Sequence, residues 1–93
     1  MAKYQIFETD TFREDLAGIC RSGLGRFKGK LLKHIYPRLR EEPHVGPNIK
    51  KLRGWDPPTW RVRIGNWRFF YEIVERERVV YMTAAYHRGK AYV

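Results

Sequence analysis

From residue 60 onward the chain alternates apolar and polar positions. In "WRVRIGNWRFFYEIV" (60–74), Trp60, Val62 and Ile64 share one parity. After the Gly65-Asn66 pair, Trp67, Phe69, Tyr71 and Ile73 share another. Period-two alternation marks a half-buried strand, and Gly-Asn between two such runs suits a two-residue hairpin, glycine first as a type II′ turn prefers. That turn sets Ile64 opposite Trp67, Val62 opposite Phe69, and Trp60 opposite Tyr71. Directly opposed residues share a face, so these seven apolar residues are the predicted core side. Arg61, Arg63, Arg68, Phe70, Glu72 and Val74 fall on the other. The polar "ERER" (75–78) predicts a second turn. With an even loop, "VVYMTAAYH" (79–87) returns with Val80, Met82, Ala84 and Tyr86 toward the core. Val79, Tyr81, Thr83, Ala85 and His87 then join the arginine face, His87 diagonally near Arg68.

The first half of the chain changes period. "KYQIF" (3–7) reads as a short strand of β-favouring residues. Thr11 followed by Glu14 reads as a capping box, and Phe12, Leu16, Ile19 and Cys20 recur at helical spacing until Ser22-Gly23 stops them. Leu24, Phe27, Leu31, Ile35 and Leu39 form a second helical stripe, with Arg26, Lys28, Lys30 and Lys33 largely off it. Pro37 predicts a kink in this helix rather than its end, because Leu39 keeps the phase. Residues 41–59 hold four of the five prolines and predict a connection rather than an element. That connection carries Lys50, Lys51 and Arg53. The expected fold is α+β in a single domain over 1–93: an N-terminal strand, two helices packed on one sheet face, then a three-stranded antiparallel meander.

Composition changes this picture chiefly through charge. Nineteen Lys and Arg stand against ten Asp and Glu, a net charge of +9, which favours nucleic acid, a ribosome or an acidic protein as partner. The basic side of the second helix suits solvation, ribosomal RNA or a protein dock equally. Cys20 is alone, so no disulfide framework or Cys-rich zinc site is expected, and its place on the apolar stripe predicts a buried, inert thiol. "MAKYQIFETD" does not read as a signal peptide, and no apolar run reaches membrane length. A cytoplasmic protein with no membrane partner is the expectation.

On the residues "IKKLRG" (49–54), "WRVRIGNWRFFYEI" (60–73) and "YHRGKAY" (86–92), in that order, the chain resembles the RelE/ParE toxin superfamily of bacterial type II toxin–antitoxin systems. The resemblance implies a small toxin neutralised by a cognate antitoxin in a hetero-oligomeric complex. Its RelE-like branch is an endoribonuclease, an mRNA interferase that cuts mRNA in the ribosomal A site without a metal or other cofactor. There a ribose 2′-OH attacks its own 3′ phosphate. Its ParE-like branch poisons DNA gyrase and performs no chemistry. Carried over, Arg61, Arg63, Arg68, Arg88 and Tyr92 occupy the motif positions. One feature departs: the RelE pattern places lysines where this chain has Arg61 and Arg63, and a guanidinium does not give up its proton. His87, on the arginine face by parity, is therefore the first candidate to take the 2′-OH proton, and Tyr92 the second. Lys50, Lys51 and Arg53 are expected to collar the RNA electrostatically, and Phe70 to stack on a base. A non-toxic relative that keeps the basic face alone is a third reading.

Overall fold

The structure, a computed structural model, describes residues 3–21 and 27–87. The expected helix stop at Ser22-Gly23, the contributions of Leu24 and Arg26, and the site positions Arg88 and Tyr92 lie outside them, as do the side chains of Ile19, Cys20, Phe27, Lys28 and His87.

Five strands form one sheet: β1 (Gln5–Glu8), β2 (Ile49–Lys51), β3 (Trp60–Ile64), β4 (Trp67–Val74) and β5 (Val79–His87), in the order β1-β5-β4-β3-β2. β1 runs parallel to β5, and every other pairing is antiparallel. The helices are α1 (Asp10–Arg21), α2 (Phe27–Lys30) and α3 (Tyr36–Glu41), with a π-helical turn (Leu31–Ile35) joining the last two. The α+β class and the antiparallel meander follow the expectation. β2 does not. Three residues are too few to show a period, and the strand exists because β3 offers it an edge: Ile49 lies opposite Val62 and Lys51 opposite Trp60. The Leu52 N–H to Thr59 carbonyl bond (2.8 Å) closes the loop that follows.

Helix 1 begins earlier than the Thr11 box predicts. Thr9 caps it, its hydroxyl oxygen accepting the Phe12 N–H at 3.3 Å and donating to the Met82 carbonyl at 2.8 Å. One residue thus starts the helix and pins it to β5. Through Pro37 the chain stays helical, as expected, and it does so by widening the turn: the Tyr36 N–H bonds to Leu31, five residues back. A proline has no N–H to continue the ordinary ladder, and the wide turn accommodates that loss.

The helices cover one face of the sheet. Phe12, Leu16, Leu31, Ile35, Tyr36 and Leu39 pack on Val62, Ile64, Phe69, Tyr71, Val80, Met82 and Ala85. Two phenols anchor this core. Tyr71 donates to the Pro43 carbonyl at 2.7 Å, and Tyr36 to the Glu8 carboxylate at 2.7 Å. Burial pushes both phenols above their ordinary value of 10.0, helped for Tyr36 by its bond to Glu8 and for Tyr71 by the charge of Glu42. A phenol whose pKa is raised in the folded state stabilises fully below pH 10.0 and less as pH climbs past it. Tyr71→Phe is therefore expected to cost about 1–3 kcal/mol, because it strands a buried carbonyl. It should also flatten the alkaline fall in stability between about pH 8 and about pH 11, read by denaturant melts at both. An unchanged alkaline slope would remove Tyr71 as its source.

Candidate nucleic-acid interface

The hairpin is paired as its alternation predicts: Trp60 with Tyr71, Arg61 with Phe70, Val62 with Phe69, Arg63 with Arg68, Ile64 with Trp67. Gly65, at φ +57, is the left-handed first residue of the turn, and Asn66 is not left-handed, as a type II′ turn requires. All three arginines consequently lie on the face away from the helices.

Beyond the four-residue turn at 75–78, β5 starts in the expected phase, with Val80 opposite Ile73 and Met82 opposite Tyr71. Then the register slips. Phe70 pairs with Ala84, leaving Thr83 as an extra residue, a β-bulge. The Thr83 hydroxyl donates to the Phe70 carbonyl at 3.2 Å, and the Ala85 N–H donates to the Asp15 carboxylate of α1 at 3.1 Å. Each residue after the bulge changes face. Ala85 joins the core, while Ala84 and Tyr86 move to the arginine side, opposite Phe70 and Arg68. This corrects the placement of His87: its register position is opposite Trp67, on the parity of the helix-covered face. The one-residue slip inverts the parity argument that put His87 beside Arg68.

Two rows now cross the open face. Arg63, Arg68 and Tyr86 form the first, and Lys50, Arg61, Phe70 and Ala84 the second. Arg63 and Arg68 are directly opposed like charges, an arrangement that destabilises a bare sheet. Among the described residues neither meets a carboxylate at ion-pair distance. Arg68 is half-buried, and its Nη1 is a buried nitrogen with no hydrogen-bond partner among them. Such a nitrogen carries a desolvation cost that an incoming anion would relieve.

The remaining expected contacts divide. Lys50 is exposed and shares the arginine face through its pairing with Arg61, and Arg53 is exposed on the loop after β2. Lys51 belongs to the other side of the sheet, its Nζ 5.2 Å from the centroid of the Trp60 ring. It is not part of the collar on the open face. Phe70 is on the expected face but only 2% exposed, too covered to stack on a base. What covers it are Trp55, with centroids 5.4 Å apart, and Tyr86, at 5.2 Å. Sequence reasoning missed both: Trp55 lies in the proline-rich connection, where no period marks a face, and the bulge moves Tyr86 from its expected core side. Among the described residues no three His, Cys, Asp or Glu side chains gather as a metal would require.

No family model and no curated protein sequence matches the chain. Solved structures do. One chain of the toxin–antitoxin complex RelBE2 from Mycobacterium tuberculosis is 25% identical, superposes at a TM-score of 0.70, and is covered over 97% of each chain. The chain carries the RelE-like fold. The archaeal RelE–RelB complex from Pyrococcus horikoshii superposes at 0.68 with 21% identity over 96% of this chain and 99% of that one. A metal-bound toxin from Helicobacter pylori reaches 0.77 at 19% identity, over 99% and 100%. In this RelE-like domain the helices and the core hairpin make the scaffold, and the exposed sheet face holds the cations.

Proposed function

We propose that this RelE-like chain is the toxin of a toxin–antitoxin pair, held in check by an antitoxin partner, and that it cuts mRNA in the ribosomal A site. The carrying observation is the opposed Arg63–Arg68 pair, with a buried Arg68 nitrogen that has no hydrogen-bond partner among the described residues. Fixed cations that meet no carboxylate among the described residues support binding of a phosphodiester, and preorganised charge at a reacting phosphate is how such sites lower barriers. In the proposed step the ribose 2′-oxygen bonds to the adjacent phosphorus and the 5′-oxygen of the next nucleotide leaves. Arg61, Arg63 and Arg68 hold the phosphate and the negative charge that develops on it. The 2′-OH proton passes to Tyr92 acting in its ionised, phenolate form, since the register that favoured His87 is inverted. Arg88 stabilises the charge on the leaving 5′-oxygen, which takes its proton from water.

Induced alone in a bacterial host, the chain is expected to arrest growth, and co-expression of its antitoxin to relieve the arrest. Primer extension should show new breaks within translated messages, while supercoiling by DNA gyrase proceeds as before. Lost supercoiling with intact messages would move the chain to the ParE-like mode of action. Unarrested growth would leave a basic binding module.

A further inference from the structure

Trp55 stands on the loop between β2 and β3 and is 47% exposed. A tryptophan so open needs another reason than burial, because its large apolar surface is costly in water. Its position is set by Phe70, against which it rests at an interplanar angle of 79°. Phe70 in turn is the strand partner of Arg61, so the indole is tied to the second row of the cationic face. Beside the indole opens a cleft of about 420 Å³ whose lining includes Arg53, Gly54 and Pro58. Gly54 takes φ +78, a conformation that L side chains rarely adopt, and a Cβ there would meet nothing within 4 Å, so the cleft is open at that point. Tyr86, the other ring in contact with Phe70, is 36% exposed and lies opposite Arg68 in the first row.

We propose that Trp55 and its cleft form a nucleobase subsite: an unpaired base of single-stranded RNA stacks on the indole while Arg53 faces its phosphate, the strand running on toward Arg61 and Arg68. The inference rests on the RNA-cleaving reading above and adds to it a base contact beside the phosphate contacts. Buried Phe70 is the prop and exposed Trp55 the platform. An aromatic interleaved with cations is the usual arrangement for single-stranded nucleic acid, since each base offers a π-face for stacking and each phosphate a charge. An acidic peptide would account for the cations and leave the open indole unexplained. Stacking tolerates any base, so the subsite is expected to add affinity with modest sequence preference.

The test is binding of a short unstructured oligoribonucleotide to the purified chain at low salt, with Trp55→Leu, Trp55→Phe and Arg68→Ala compared. Trp55→Leu is expected to weaken binding about five- to a hundredfold, the worth of one stacked base. Trp55→Phe, which keeps an aromatic face, should recover most of it. Arg68→Ala should weaken binding and reduce its salt dependence, which Trp55→Leu should leave unchanged. If Arg68→Ala weakens binding and Trp55→Leu does not, the subsite is wrong and the RNA reading stands. If the wild-type chain does not bind the oligoribonucleotide, the subsite is wrong, while cleavage in the ribosomal A site is decided separately by primer extension on translated messages. Should Trp55→Leu spare RNA and instead release the antitoxin, the loop is a protein contact and the proposal is overturned.

Discussion

Replacing Arg68 by Ala is expected to abolish growth arrest and leave the domain folded, with thermal stability unchanged or slightly raised. The two halves of that result have one cause. Arg68 faces Arg63 across the hairpin and carries a buried nitrogen with no partner among the described residues, so in the free protein it is a net cost. Its removal relieves like-charge repulsion worth about 0.2–1 kcal/mol between directly opposed strand residues. In the complex the same guanidinium would meet phosphate, and losing one preorganised donor at a reacting centre lowers turnover about a hundred- to a thousandfold. Colony counts after induction read the first half, and a thermal melt the second. Arg68→Lys should fall between, because an ammonium keeps the charge and loses the two-pronged geometry. A fully toxic Arg68→Ala chain would take the phosphate cradle away from this face.

On the opposite face the largest expected effect is on stability. Phe69 is fully buried, lies opposite Val62 and Ala85, and meets Phe12 of α1 with ring centroids 6.1 Å apart. It is the point where the helix layer closes on the centre of the sheet. Phe69→Ala removes a whole ring from a site held by strands on both sides, so the cavity cannot collapse easily. The expected loss is about 3–5 kcal/mol, a large part of the roughly 5–15 kcal/mol that holds a small domain folded. A domain of this size should then melt about 15–30 °C lower. A loss under about 1 kcal/mol would show that the core is centred elsewhere. Phe69 and Phe70 are neighbours in sequence and both buried, yet they serve different layers: one closes the core, the other props Trp55.

How much of this was legible before the structure varies by element, for physical reasons. The hairpin was fully legible. Seven alternating apolar residues and a Gly-Asn turn leave one register that buries them together, and that register carries Arg61, Arg63 and Arg68 to one face. The helical stripes were legible for the same reason, and Leu39 in phase after Pro37 announced that the helix goes on. The cap was misplaced by two residues because Thr9 and Thr11 both offer a hydroxyl, and only contact with Met82 selects the first.

What the linear chain determined by itself is the covalent pattern of periods and charges. From that follow the α+β class, the two-faced hairpin, and an excess of cations on the face without helices. What only the tertiary structure decided depends on contacts between distant segments. β2 forms because β3 has a free edge. Thr83 bulges where its hydroxyl and the Asp15 carboxylate of a helix seventy residues away satisfy the disturbed ladder. That single slip exchanges His87 for Tyr86 beside Arg68, an outcome no strand period can encode, since parity counts residues and a bulge adds one.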